Sequence, residues 1–396
     1  MAESLHGKPA ILMIAYTNYR TDPRVIRAAE AAVDSGFDVD FIALRREGEP
    51  DTEFVRGVRL IHLRQERYRG GGVLWYLVAY LEFFMRCLFK TGTLHMQRRY
   101  RVVHVNNMPD FLVFSAIVPK LLGAKVILDI HDPMANTFVS KFKSGERGLV
   151  FRLLLLQERL AAWFSDCVLT VHEPVRRHIL IEQHGMAPEA VQVVANFADD
   201  DLFRLRTPAE SLGPLRLVFH GTILERYGLG DVLGALVKMK YRDRIRVRII
   251  GEGDYSEQLR QGIDTLGLAD IVEFDNRMYP LEQIPQRLAD CHLGLVPLRI
   301  SSITNFALPL KLIEYLALGM PSITVRSVAI GFYFADEDCF FYEPGNVDSL
   351  AQVLDRIAAD PALLEQARQR AVVNRDKFLW SREKKKYTDL LTGLAG

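Results

Sequence analysis

The densest chemistry in this sequence lies in residues 303–321, Ile-Thr-Asn-Phe-Ala-Leu-Pro-Leu-Lys-Leu-Ile-Glu-Tyr-Leu-Ala-Leu-Gly-Met-Pro. Lys311 and Glu314 stand at i and i+3, so on a helix they share one face. Pro309 is placed to open that helix, and Gly319 with Pro321 to close it. The apolar run 293–297 upstream reads as a buried strand. Strand, loop and short helix in that order bring the helix N-terminus to the carboxyl end of a sheet, where free N–H groups and the helix dipole favour anions. A lysine there adds charge for phosphate, and a carboxylate can accept hydrogen bonds from sugar hydroxyls. The same residues also suit an ordinary amphipathic helix with a solvated Lys and Glu.

Other candidates stand at strand ends. Residues 124–130 read as a strand that delivers His131-Asp132-Pro133 to a sheet's carboxyl edge, where ligands bind in open α/β sheets. His131 could bond a sugar hydroxyl, could turn its backbone carbonyl to a developing positive charge, or could be satisfied within the following turn. His172-Glu173-Pro174 forms a second such cluster, with Glu173 a partner for a hydroxyl or a helix cap. Arg24, near the first strand, could reach the sheet's carboxyl edge, but reads more readily as half of a structural ion pair. The first loop, 16–22, carries no G-x-G-x-x-G, so a dinucleotide fingerprint is missing where it belongs. Four scattered cysteines form no C-x-x-C, which argues against a disulfide framework or zinc site and fits a reducing compartment. No D-x-D stands at a convincing strand end, and no metal is expected.

The elements that position these residues alternate strand and helix. Strands are expected at 10–15, 37–44, 102–105, 124–130, 165–171 and 191–195. The pattern restarts with 215–220, 246–250, 271–274, 293–297, 322–325 and 340–342. Such alternation implies parallel sheets. At 396 residues the chain suits two domains. These are a Rossmann-like domain over 1–196, a linker over 197–214, a second Rossmann-like domain over 215–378, and a helix over 379–396 that packs back on the first. Two doubly wound α/β domains of this kind would face a shared cleft, with 134–147 as a loop over it. A net charge of +1 gives no sign of nucleic acid as a partner. Lys8-Pro9 leads directly into the first strand, so no signal peptide is expected and the chain reads as cytoplasmic.

Residues 56–101 hold ten Lys or Arg against two acids, which makes them locally basic in a near-neutral chain. Within them 73–89 is rich in Leu, Phe, Tyr and Trp but shorter than the roughly 20 apolar residues of a membrane span. Two readings stand: a surface helix that meets anionic lipid through its basic flanks, or a helix packed on the first sheet beside a solvated basic loop.

Three stretches appear in order: Gly221-Thr-Ile-Leu-Glu-Arg-Tyr-Gly-Leu229, Gly251-Glu-Gly253, and Pro309-Leu-Lys311-Leu-Ile-Glu314 through Gly319 and Pro321. Together they resemble the C-terminal half of a retaining, family 4 type glycosyltransferase of the GT-B fold. Asp22-Pro-Arg-Val25, His131, the 196–199 segment and Phe378-x-Trp380 are similar to that family too. The resemblance implies a hexosyltransferase-like enzyme that needs no cofactor or metal and uses a UDP- or GDP-linked sugar, with a polysaccharide or lipid-linked glycan as acceptor. It assigns Glu314 to the donor ribose, and Lys311 and Arg226 to the diphosphate. Gly221, Thr222, Gly251 and Gly253 would line the phosphate approach, where a missing or small side chain lets backbone N–H groups come close. Arg277 and Met278 would lie at the nucleobase, Leu310 would join the donor contacts, and His131 would stand on the acceptor side near the anomeric carbon.

Two residues depart from the family pattern. Ala307 stands seven before Glu314, where many members have a glutamate for the donor sugar, with Asn305 as the nearest polar substitute. Thr222 stands where the family has a phosphate-binding arginine, which leaves Arg226 as the closest basic group. Rival readings are another GT-B activity, such as a nucleotide-sugar epimerase or a phosphorylase, and a non-catalytic sugar-nucleotide-binding scaffold.

Overall fold

The structure, a computed structural model, describes residues 8–66, 68, 72–142, 148–207, 213–302 and 304–396, with 73 and 139–142 described by their backbone alone. Arg67 and Arg69, two of the ten basic residues counted in 56–101, lie outside these, as do 143–147, 208–212 and Ile303. The chain divides into two compact units, residues 1–196 with 383–396, and residues 197–382.

The first unit is built on eight strands: β1 (Ala10–Ala15), β2 (Asp38–Leu44), β3 (Thr52–Val55), β4 (Val58–Leu63), β5 (Val102–Asn106), β6 (Lys125–Ile130), β7 (Cys167–Thr170) and β8 (Val191–Val193). Their order is β3-β4-β2-β1-β5-β6-β7-β8. Every neighbouring pair is parallel except β3 with β4. All six residues of β1 are buried, as expected of a central parallel strand covered on both faces. The order reverses between β1 and β5, which puts the unit's crevice at their carboxyl ends.

The hairpin of β3 and β4 was not expected from the sequence. Arg56 (φ 47°) and Gly57 (φ 84°) are both left-handed and form a two-residue turn between Val55 and Val58. The hairpin changes the reading of the basic stretch. Arg56 pairs with Glu30 at 3.2 Å and Arg64 with Asp51 at 2.9 Å, while Arg59 is bonded to the fully buried Asp40. These arginines are paired with acids of a helix, of β2 and of the loop before β3, and are not a free cationic flank for lipid. The helix that follows runs unbroken from Val73 to Arg98, beyond the 73–89 segment seen in the sequence. Residues Met134–Phe142, expected as loop, are helical; Ala135 N–H donates to the buried Glu158 at 2.7 Å and ties the first turn down. No helix among the described residues is long and apolar enough to cross a membrane.

The last helix, Trp380–Ala395, belongs to this unit from Glu383 onward. Tyr387 is buried, and its hydroxyl lies 2.7 Å from His104 Nδ1 on β5. Glu383 accepts from the Ala195 amide at 2.8 Å, and Lys384 pairs with Asp34 at 2.7 Å.

The second unit holds β9 (Leu215–His220), β10 (Ile245–Ile250), β11 (Val272–Asp275), β12 (Leu293–Val296), β13 (Ser322–Val325) and β14 (Phe340–Tyr342). The order is β11-β10-β9-β12-β13-β14, parallel throughout. Both units are therefore Rossmann-like, doubly wound α/β sheets. The segment from Phe197, read as the start of a linker, packs within the second unit. The Phe197 ring lies 5.2 Å from that of Phe378 and 6.3 Å from that of Tyr333.

The helix Leu310–Ala317 crosses the back of β12 through one tight contact. A Cβ on Gly294 would lie 2.1 Å from the Tyr315 ring, so only glycine admits that ring against the strand. Gly294→Ala is expected to cost about 3 kcal/mol of stability through overpacking. Urea unfolding of the variant would show it as a lower midpoint at unchanged slope.

Candidate functional site

Between β9 and β12 the strand order of the second unit reverses, and the candidate residues gather at the carboxyl end of β9. The chain leaves β9 through Gly221 (φ 109°) and continues beside the end of β10. Gly221 N–H donates to Ile250 O at 2.9 Å and Ile223 N–H to Glu252 O at 3.0 Å. A Cβ on Gly251 would stand 1.8 Å from Gly221 O, and one on Gly253 would stand 2.3 Å from Ile223 O. These two glycines are therefore needed to let the two loops lie against each other. Their own amides are also engaged, Gly251 N–H with Asp275 O at 3.0 Å and Gly253 N–H with Ser256 Oγ at 3.0 Å. That differs from the expected role at a phosphate, and the reason is that the backbone fills the space. Thr222 is exposed beside them.

Lys311 extends from the helix Leu310–Ala317 over the end of β9. Its ammonium sits 3.7 Å from the centroid of the Phe219 ring and 4.4 Å from that of Tyr227. Arg226 stands on the same Tyr227 ring, at 5.3 Å, and is exposed. One aromatic side chain thus carries both candidate cations. Among the described residues Lys311 forms no ion pair, and burial pushes its ammonium down to about 7 although the nearby Glu314 favours the charge. Ring faces attract a cation, but they do not replace the lost hydration.

Glu314, one turn along, is buried. Its Oε2 lies 2.8 Å from His220 Nε2, and His220 Nδ1 lies 2.9 Å from the Tyr315 hydroxyl. That hydroxyl donates to Val218 O at 3.0 Å. With its single hydrogen given to the carbonyl, Nδ1–H must donate to the phenolic oxygen, and the Nε2–Oε2 contact needs one proton between them. The carboxylate is therefore fixed through one oxygen, and Oε1 has no hydrogen-bond partner among the described residues.

The other expected donor residues are less close. Leu310 is half-buried at the first turn, and Pro309 (ψ 123°) is the extended cap before it and not its first helical residue. Asn305 uses its side-chain oxygen to accept from Val328 N–H at 3.1 Å, which holds its loop to the helix Val328–Tyr333. Arg277 and Met278 are exposed after the edge strand β11, with Arg277 Nε donating to Asp275 Oδ1 at 2.8 Å.

His131 follows β6 in the first unit. Its Nε2 is 3.2 Å from Asp129 Oδ2, and its amide donates to Asn107 Oδ1 at 2.8 Å. Asp129 is buried and also receives two nitrogens of Arg24, with Nη2 at 2.7 Å and Nε at 3.1 Å. Burial raises this carboxyl, but Arg24 and His131 outweigh it and hold Asp129 well below the usual carboxylate range. Arg24 is thus the buried ion-pair partner that the sequence suggested. The imidazole faces Asp129 through Nε2 at ion-pair distance. Glu173 is tied to Arg176 at 2.8 Å in its own turn.

Sequence reading passed over His220, Tyr315, Phe219, Tyr227 and Asp129. Some signal was present: a histidine directly before the loop glycine, a tyrosine beside Glu314, and an acid inside an apolar strand. Among the described residues no group of three or more His, Cys, Asp or Glu is placed to hold a metal ion.

Replacing Lys311 by Met is expected to stabilise the unliganded protein. The folded ammonium titrates near 7 and the unfolded one near its ordinary 10.5, so the destabilisation is full below pH 7 and fades as pH rises toward 10.5. Thermal melts at pH 6.5 and pH 9.5 (~3 units apart, covering most of that window) should show the larger gain at the lower pH.

Two family descriptions match the chain: a glycosyl transferase 4-like domain over residues 22–196, and glycosyl transferases group 1 over 206–373. Among curated proteins, an exopolysaccharide phosphotransferase of Streptomyces coelicolor is 30% identical over 38% of this chain and 15% of its own length. A putative colanic acid biosynthesis glycosyltransferase, WcaL of Salmonella typhimurium, is 27% identical over 37% of each chain. The chain thus spans well under half the length of these relatives. Among solved structures, a sucrose-phosphate synthase from Thermosynechococcus elongatus superposes with a TM-score of 0.75 at 19% identity, over 98% of this chain and 99% of that one. HepE of Anabaena, in complex with UDP and glucose, gives 0.70 at 13% identity, over 97% and 100%. WaaG, a glycosyltransferase of lipopolysaccharide biosynthesis, gives 0.69 at 16% identity, over 97% and 100%. These structures share the fold of two Rossmann-like sheets. With the two family domains matched in that order across most of its length, the chain belongs to the family 4 type glycosyltransferases of the GT-B fold.

Proposed function

We propose that this glycosyltransferase moves a sugar, with retention at the anomeric carbon, from a nucleoside diphosphate to a polysaccharide or lipid-linked glycan of the cell envelope or exopolysaccharide. The observation that carries the reading is Lys311, a cation without an ion pair among the described residues, at the carboxyl end of β9 and one helical turn from the buried Glu314. A diphosphate is a ligand that supplies the missing counter-charge. Lys311, Arg226, Thr222 and the first amides of the helix Leu310–Ala317 would hold it. Glu314 would receive the ribose hydroxyls at Oε1 while His220 holds Oε2. Arg277 and Met278 would lie at the base, and His131, aimed by Asp129, on the acceptor side.

In the transfer, the bond from the anomeric carbon to the diphosphate oxygen breaks and the leaving group gathers negative charge. Preorganised cations stabilise that charge and contribute several kcal/mol. The acceptor oxygen bonds to the same face of the carbon, and its proton passes to the departing phosphate oxygen. No metal enters this scheme. A UDP donor is supported by the UDP and glucose held by HepE, with a GDP-linked sugar the next candidate. The colanic acid glycosyltransferase among the relatives supports an exopolysaccharide acceptor. The protein would act in the cytoplasm, peripherally on an anionic membrane surface reached through the first unit. A second reading is a sugar-nucleotide-binding scaffold, favoured by Ala307 in place of a carboxylate and by the engaged side-chain oxygen of Asn305.

Donor hydrolysis and transfer assays with UDP- and GDP-sugars test this. Glu314→Ala and Lys311→Ala are expected to lower turnover by about a hundredfold or more. Unchanged turnover would remove the site, and nucleotide binding without turnover in the unmodified protein would favour the scaffold. His220→Ala should weaken nucleoside diphosphate binding about tenfold, in line with a lost hydrogen bond to a charged group. His220→Gln, whose amide can still donate to Glu314, should recover most of that affinity in calorimetric titration.

A further inference from the structure

Two helices of the first unit are apolar on both sides. On Val73–Arg98, the inward side chains Phe83, Cys87 and Leu94 are buried. A second stripe of Leu74, Val78, Leu81, Met85, Phe89 and Met96 is exposed, with Phe89 at 69%. On Leu149–Phe164, Phe151 and Ala161 point inward, while Leu149, Leu153, Leu156, Leu160 and Trp163 form an outward stripe, with Trp163 at 84%. Steps of three and four residues put each set on one helical face. A helix that is apolar all round is ordinarily covered.

The two helices are neighbours, because both pack on the segment between them. Phe84 of the first meets Phe111 at 5.8 Å, and Phe164 of the second meets Phe114 at 5.1 Å. That intervening segment adds Ile117, Leu121 and Leu122, all exposed, with Leu121 at 80%. Exposed apolar side chains thus come from three neighbouring elements, and clusters of that kind on a protein surface mark interaction sites.

We propose that this face docks on a bilayer containing anionic lipid, with both helices lying in the headgroup boundary. Charge complementarity points to that occupant. Glu82 and Glu158 are the only acids in the two helices; Glu82 is tied to Arg86 at 2.7 Å and Glu158 is fully buried. Arg152 forms no ion pair among the described residues and is exposed beside Leu153 and Leu156 of the second stripe. A cation beside an apolar face gains from anionic headgroups. Trp75 near the start of one helix and Trp163 near the end of the other are exposed indoles, the side chain enriched at membrane–water boundaries. This deepens the membrane partner proposed above. It moves the contact away from the arginines of 56–64, which are spent on ion pairs, and adds the helix Leu149–Phe164, which the basic stretch does not contain.

The full chain is tested with phosphatidylcholine vesicles made with and without phosphatidylglycerol. Co-sedimentation is expected with the anionic vesicles and weakly or not at all with the neutral ones. Brominated acyl chains should quench tryptophan emission, and the quenchable part should fall in Trp75→Phe and again in Trp163→Phe, since Trp380 is buried. Leu153→Glu with Leu156→Glu should lower vesicle binding about tenfold or more. Its melting curve and donor hydrolysis should stay unchanged, which separates loss of the face from loss of fold or of the transferase reading. Three results would overturn the proposal: binding that survives these substitutions, a Trp163 that is not quenched, or a self-associated species in sedimentation velocity that the substitutions dissociate while vesicles capture nothing.

Discussion

The second unit's chemistry depends on where one tyrosine ring lies. Tyr315 rests on Gly294 of β12, and its hydroxyl reaches Val218 O on β9 and the imidazole of His220 at the end of the same strand. The helix Leu310–Ala317 is thereby fixed in rotation against two strands on either side of the switch point. Fixing that rotation aims Glu314 at His220 and carries Lys311 over Phe219. A hydrogen bond to a backbone carbonyl in a buried strand is a firm reference, because the strand itself cannot move without breaking its ladder. The site residues are thus held by the sheet through an intermediary that carries no charge.

Much of this plan was legible in the sequence, for a simple reason. Central parallel strands are covered on both faces, so they read as apolar runs whatever their neighbours, and the glycines and prolines between them mark the turns. Local context suffices to find β1 or β9, and the stretch around Lys311 and Glu314 carries its helix signals within itself. The hairpin of β3 and β4 lacked such a signal. It lies at the sheet edge, one of its turn residues is an arginine forced left-handed, and its charges look solvated until Asp40 and Asp51 are placed opposite them.

Partnerships between distant residues were the illegible part. Gly251 and Gly253 looked like room for a phosphate, yet the carbonyls of Gly221 and Ile223 occupy the space where their side chains would be. A sequence shows that a position needs a small residue and leaves open what approaches it. In the same way Asp129 reads as an acid in a strand, and only the fold brings Arg24, His104 and His131 around it. His220 is a further case: the glycine after it marks a loop in the sequence, while the imidazole before it organises the carboxylate only in the fold.

The closing helix carries a consequence for how the first unit is made. Its sheet takes its last partners from residues far along the chain: Glu383 bonds Ala195 across 188 positions, and Tyr387 meets His104 across 283. During synthesis the strands from β1 to β8 emerge well before these partners exist, so His104 and the Ala195 amide must wait while the whole second unit is translated. The order of completion is therefore the reverse of the order of birth, and the nascent first sheet spends that interval with a buried-polar surface still open to solvent and to chaperones.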